Sequence, residues 1–298
     1  REGFLVDSTM KSFWAAELEV LSEVAAVCEK YQLPWYAYWG TLLGAVRHNG
    51  YVPWDDDIDI CMKREDFQKL MQVLQQELPE GWKVYHAGSG NPQDVFWVSV
   101  MNSEYVSISP DHLKRFHGCP FIAGIDIFQL DYIPRDAKED EMERTLFGLI
   151  IDTLRLVKRE NKSIKDKKQL NDALRELEGF FHTEIRRDET LTTQLWQLAD
   201  RLCMSYGEAD GDYLMGYTTY FWGNKKFEKS WFEDVEYLPF ESVYMPVPIG
   251  YDAILKSLYG DYMVCQRDTQ THDYPLYKDQ LEQVRRHLRE LEAKAVGE

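Results

Sequence analysis

The sequence predicts a mixed fold, α+β or α/β rather than all-α: a small mixed sheet with helices, followed by a helical extension. Two observations carry this. Between Trp35 and Leu130, short runs of strand character alternate with amphipathic helical runs. From Ala137 to about Tyr206 the text is mostly helical and charged, with apolar positions such as Phe147, Ile150, Ile151, Leu154 and Val157 at helical spacing. A division into residues 1–136 and 137–298 is therefore expected, and a chain of 298 residues suits one large domain or two modest ones.

Residues Ser8 to Tyr31 open the chain as a helix. Met10, Trp14, Leu18, Leu21, Ala25 and Cys28 recur at three- and four-residue steps, with Ser8 as N-cap, so this helix is expected to pack on a core. Trp35 to Trp39 reads as a short aromatic strand. Gly40-Thr41 follows, then a short helix from Leu42 to Arg47, closed at His48-Asn49-Gly50 by the Asn-Gly turn signal. A further helix carries Phe67, Leu70, Met71, Leu74 and Leu78 on one face and stops at Pro79-Glu80-Gly81. Strands are expected at Trp82–His86, Val95–Met101, Glu104–Ile108 and Ile122–Leu130. After Tyr206 the chain turns irregular and aromatic, with a short helix over Tyr251–Tyr259 ended by Gly260 and a last charged helix over Lys278–Lys294.

Composition excludes some function classes. At 44% hydrophobic and 29% charged, the chain has the make-up of a soluble globular protein. The formal charge is 34 − 51 = −17, which argues against nonspecific grip on nucleic acid or an anionic membrane. The five cysteines are scattered and form no CxxC pair, which predicts neither a disulfide framework nor a zinc cluster and favours a reducing, cytoplasmic setting. No apolar run long enough to span a membrane is seen, and no signal peptide, although upstream residues could have preceded Arg1.

The chemistry concentrates in Trp54-Asp55-Asp56-Asp57-Ile58-Asp59-Ile60. Carboxylates at this density repel one another unless a cation sits among them. Read as a strand, Ile58, Ile60 and Met62 face one way while Asp57, Asp59 and Cys61 face the other. Asp55 shares that parity near the strand entrance, and Asp56 points elsewhere. Asp57-x-Asp59 is a common way to hold a divalent metal beside a reacting phosphate. Asp126 stands alone inside the apolar strand Ile125-Asp126-Ile127-Phe128, where a shared metal would offset its burial. Gly40 permits close backbone approach, and the helix start beside Thr41 offers unpaired N–H groups to phosphate, with Arg47 as a clamp two turns on.

Taken in order, Gly40-Thr41, Asp57-x-Asp59 and Asp126 resemble the signature of the nucleotidyltransferase superfamily that includes DNA polymerase β, with Thr41 where Ser is commoner. The longer block from Trp39 to Ile60 resembles that of the LicD family, phosphorylcholine transferases related to fukutin and fukutin-related protein. Gly124 to Asp131 resembles its second block, with Gln129 in place of the usual Pro. Pro246-Val247-Pro248 and Leu258 to Met263 resemble its C-terminal block, after which Val264-Cys265-Gln266-Arg267 replaces a proline-rich stretch.

The resemblance implies an α+β, polymerase β-type nucleotidyltransferase core over residues 1–136 and a helical and substrate-binding region over 137–298. It implies a metal-dependent enzyme that moves phosphocholine, or another phospho-alcohol, from CDP-choline or a related CDP-alcohol to a hydroxyl of a cell-surface glycan such as a teichoic acid or lipopolysaccharide, releasing CMP. Mg2+, or Mn2+, would sit on Asp57, Asp59 and Asp126 with Asp55 as auxiliary, Asp126 completing the site or taking the acceptor proton. With a CDP-linked donor so implied, Arg47, Lys225, Lys226, Lys229 and His272 become candidates for donor-phosphate or acceptor contacts, and Trp35, Tyr38, Trp39, Trp54 and Trp222 for an aromatic cage around a choline headgroup. Competing readings are a nucleotidyltransferase that releases pyrophosphate, a metal-dependent glycosyltransferase, and a non-catalytic glycan-binding relative.

Overall fold

The computed structural model describes residues 2–86, 96–159, 163–221, 223–266 and 274–296. The chain forms two compact units, one of Arg1–Val84, Ser99–Phe128 and Trp231–Glu298, the other of Tyr85–Val98 and Gln129–Ser230. The division expected at residue 136 thus falls elsewhere, because the last 68 residues of the chain return to the first unit. Contacts within that unit show why: the Tyr36 hydroxyl donates to the Phe232 carbonyl at 2.9 Å, and Phe121 stacks on Tyr277.

The first unit opens with α1 (Ser8–Tyr31). Its N-cap is Asp7 rather than Ser8: Asp7 Oδ1 accepts from the Met10 N–H at 2.8 Å, so the cap sits one residue earlier. Then come β1 (Tyr36–Ala37), α2 (Trp39–His48), β2 (Asp59–Lys63), α3 (Arg64–Glu77), β3 (Lys83–Tyr85), β4 (Val98–Met101), α4 (Pro110–Arg115) and β5 (Gly124–Ile133). The strand order is β1-β2-β5-β4-β3, and β1 pairs antiparallel with β2 through Tyr36↔Cys61 and Ala37↔Ile60. Val20, Val24, Leu42, Ile58, Ile60, Leu70 and Ile127 are fully buried in this unit, each stabilising the fold by about 1.5–3 kcal/mol.

Two expectations fail here for local reasons. Glu104–Ile108 forms no strand; its backbone turns, and Ser109-Pro110 starts α4 instead, the Ser109 hydroxyl accepting from the His112 N–H. The aromatic strand shrinks to Tyr36–Ala37 because α2 already begins at Trp39, whose φ of 40° is left-handed.

The second unit carries residues 129–133 of β5, which pair antiparallel with β6 (Tyr213–Met215) through Asp131↔Met215, and β6 pairs with β7 (Phe227–Glu228). The helical extension starts at Ala137 as expected, with α5 (Ala137–Lys158), α6 (Ile164–Phe181) and α7 (Leu191–Cys203), and a short α8 (Tyr217–Phe221) follows β6. Asp136 caps α5, and Ser163 with Asp166 forms a reciprocal capping box on α6. Phe147, Ile150, Leu174, Leu177, Leu195 and Tyr220 form its core.

Back in the first unit, β8 (Val235–Phe240) and β9 (Val243–Pro248) make a hairpin that sequence reading left irregular. The Pro239↔Tyr244, Tyr237↔Pro246 and Val235↔Pro248 pairs explain this, since proline argues against a strand. Helix α9 (Tyr251–Tyr259) ends at Gly260, as read from sequence, and α10 (Leu281–Val296) follows a 3-10 turn at Lys278–Gln280. Among the described residues, no helix is long and apolar enough to cross a membrane.

Candidate functional site

The site is built where α2 meets β2. The Thr41 hydroxyl accepts from the Asp59 N–H at 2.8 Å, and the Tyr38 N–H donates to the Asp59 carbonyl at 2.9 Å. Both peptide groups of Asp59 are therefore held, and its side chain starts from a fixed Cα. Thr41 is buried, so its hydroxyl acts as a brace for Asp59. Gly40 lies in the first turn of α2 rather than ahead of it. A Cβ there would overlap the Asp55 carboxylate, so glycine is required for that acid to lie against the helix start.

Asp57 precedes β2, which starts at Asp59, so the two acids occupy irregular backbone and a strand start rather than two steps of one strand. They are nevertheless close. The Asp55 and Asp57 carboxyls are hydrogen-bonded to each other, and burial followed by Asp57 pushes the Asp55 carboxyl well above the usual carboxylate range. Asp59, 8% exposed, is pushed up in the same way by burial, then by Asp57, Asp126 and Asp55. Asp126 on β5 donates its N–H to the Ile58 carbonyl at 2.9 Å, and its carboxylate accepts from the Ser99 hydroxyl of β4. Asp55, Asp57 and Asp126 thus all bear electrostatically on the fourth acid, Asp59. Among the described residues, however, no three His, Cys, Asp or Glu side chains already converge as a ready metal-ligand set. Asp56 is fully buried and accepts from the Leu276 N–H at 2.6 Å, in keeping with its opposite parity.

Arg47 is half-buried, and its Nη1 donates to the Tyr262 carbonyl at 2.6 Å, tying α2 to the turn after α9. Lys225, Lys226 and Lys229 belong to the second unit: Lys226 lies over the Tyr213 ring, and Lys229 donates to the Glu208 carbonyl. His272 and Trp222 lie outside the described residues. Of the other proposed cage residues, Tyr38 and Trp54 are buried while Trp35 and Trp39 are half-buried.

Two residues of this site went unnoticed in the sequence. The Tyr259 hydroxyl is raised by burial, then by Asp55, Asp59 and Asp57, against the opposing charge of Arg47. Its signal was the Tyr-Gly-Asp-Tyr block. The other is Glu17 of α1, which burial and then Asp57 push well above the usual carboxylate range. Its signal was a charge on an apolar stripe, three residues after Trp14.

Comparison with known proteins fits this arrangement. Residues 32–138 match the family model described as LicD/FKTN/FKRP, nucleotidyltransferase domain. Over 252 residues, 83% of this chain and 88% of the relative, the chain is 26% identical to the lipopolysaccharide cholinephosphotransferase LicD of Haemophilus influenzae. Shorter matches join it to uncharacterised proteins of Rickettsia typhi, 36% identical over 28% of each chain, and Rickettsia prowazekii, 47% identical over 18% of this chain and 21% of the relative.

Proposed function

We propose that the chain is a LicD-family transferase moving phosphocholine, or a related phospho-alcohol, from a CDP-linked donor to a glycan hydroxyl, a reading supported by the family-model match over residues 32–138 and by the 26% identity to a lipopolysaccharide cholinephosphotransferase over 83% of the chain. The observation that supports the site assignment is that Asp59, held in place by Thr41 and Tyr38 and almost wholly buried, has its charge opposed by Asp57, Asp126 and Asp55 together. An all-carboxylate group of this charge suits a hard divalent cation and repels a bare diphosphate. Asp57, Asp59 and Asp126 would hold Mg2+ or Mn2+, with Asp55 beside them. When bound, the metal neutralises the diphosphate and the charge that develops on it.

The rest is work for the chain's own groups, on a core we read as the nucleotidyltransferase fold. Thr41 and Tyr38 keep Asp59 in place, and Ser99 keeps Asp126 in place. The acceptor oxygen attacks the phosphorus that bears the alcohol and gives its proton to the Asp126 carboxylate. The bond from that phosphorus to the CMP oxygen breaks, and CMP leaves with the electron pair. Arg47 and the Tyr259 hydroxyl would offer positive charge and a hydrogen bond to the donor phosphates.

Incubation with CDP-choline, a glycan acceptor and Mg2+ is expected to release CMP. The description of residues 32–138 as a nucleotidyltransferase domain favours one second reading, attack on an α-phosphate. Pyrophosphate release from CTP, with none of the CMP release, would establish that reading instead.

Gly40→Ala separates the site from the fold. Alanine in the first turn of a helix is favoured over glycine by up to about 1 kcal/mol, so the melting temperature should hold. The added methyl must displace the Asp55 carboxylate, and turnover should fall by roughly 10- to 100-fold. Unchanged turnover in the folded variant would remove Asp55 from the site.

A further inference from the structure

We infer that helix α1, which lies outside the stretch matched by the family model, is a working part of this site, with Glu17 as a positioning residue for the Asp55–Asp57 segment. Its catalytic consequence rests on the reading above; its structural content does not.

Four contacts tie α1 to the acidic segment and to Tyr51, which leads into it. The Trp14 indole N–H donates to the Asp55 carbonyl at 3.0 Å. The Trp14 ring stacks on Tyr51 with centroids 4.5 Å apart and planes 2° from parallel. The Tyr51 hydroxyl donates to Glu17 Oε2 at 2.9 Å and lies 3.2 Å from the Trp14 carbonyl. Tyr51 is four residues before Asp55, so the chain entering the acidic run is held at both ends by one helix face. Glu17 is 1% exposed, and its Oε1 is buried without a hydrogen-bond partner among the described residues. A carboxyl half-satisfied at such depth costs stability and brings nothing to a helix that merely packs. Leucine would serve that bland role better. The acid makes sense as the acceptor that fixes Tyr51, and through Tyr51 and Trp14 the backbone of Asp55.

The test uses Glu17→Leu, which keeps the volume and removes the acceptor, and Glu17→Gln, which keeps the acceptor. Hydrogen exchange is read on the metal-free protein, and Mn2+ binding by electron paramagnetic resonance. Glu17→Leu should speed amide exchange across residues 52–58 by about tenfold while β2 and α3 stay protected. It should weaken Mn2+ binding by about fivefold with no loss of melting temperature, and Glu17→Gln should remain within about twofold of wild type on both measures. If Glu17→Leu does not fold, Tyr51→Phe replaces it on the same criteria. Exchange at 52–58 within about twofold of wild type, or a rise spread evenly over the unit, overturns the inference. A wild-type protein that binds no Mn2+ would defeat the metal assignment alone, since the exchange measurement decides the positioning role by itself.

Discussion

Replacing Asp57 and Asp59 together by alanine is expected to lower CDP-choline turnover by about 10³-fold or more, because it removes the groups proposed to organise charge at the reacting phosphate. The same change is expected to raise the melting temperature of the metal-free protein. Asp59 is held at 8% exposure, where burial and the neighbouring Asp57, Asp126 and Asp55 all disfavour its charge. Asp55, hydrogen-bonded to Asp57, suffers the same opposition. Deleting two of the four acids relieves both desolvation and repulsion, a gain on the order of 1–3 kcal/mol against the small cavity that alanine leaves. For a unit of this size that is a rise of roughly 2–10 °C. Calorimetry in a chelator and a CMP-release assay in Mg2+ read the two halves. Turnover near the wild-type rate would sink the site assignment. A lower melting temperature with turnover lost would mean that these acids support the fold rather than strain it.

The strain also explains how much of the site the sequence disclosed. Asp57, Asp59 and Asp126 were visible because acids inside Ile-rich runs contradict the hydrophobic pattern around them. Gly40 was visible as a turn residue, but its reason, the Asp55 carboxylate against its Cα, is a tertiary contact between residues fifteen apart. Glu17 and Tyr259 are further still from the acidic run in the chain, and nothing local marks them as its neighbours. Helices α1 and α9 follow the bounds their sequence pattern sets, while of α5 the pattern marks only the start at Ala137. The β8–β9 hairpin was not, since its prolines and its Glu241-Ser242 turn give the wrong local signals. The units were misjudged for a related reason: the Tyr36 hydroxyl reaching the Phe232 carbonyl is a contact across 196 positions, beyond any pattern read along the chain.

Raising the pH from 5.5 to 8.5 is expected to destabilise the second unit, and Glu143→Leu to abolish most of that loss. Glu143 on α5 is 2% exposed, and neither carboxyl oxygen has a hydrogen-bond partner among the described residues. Burial first, then Asp131 and Asp140, push its carboxyl from an ordinary 4.5 up to about 9. Below pH 4.5 the group is protonated whether the chain is folded or not, and its contribution is fully present. Between 4.5 and about 9 the folded state keeps a proton that the unfolded state has released, so stability falls as pH rises. One group can contribute at most about 1.4 kcal/mol per pH unit, so a loss of a few kcal/mol across this window is the expected order. Leucine fills a similar volume beside Leu146 and Phe147, has no proton to lose, and leaves no buried acceptor unsatisfied. Urea unfolding at both pH values should therefore find the variant about 2–4 kcal/mol more stable at pH 8.5, and much closer to wild type at pH 5.5. An equal difference at both values would mean that packing, not the proton on Glu143, separates the two proteins. Glu143→Gln then decides the rest. It cannot ionise but keeps an unsatisfied polar head, so it should lose the pH dependence while recovering only part of the stability that leucine restores.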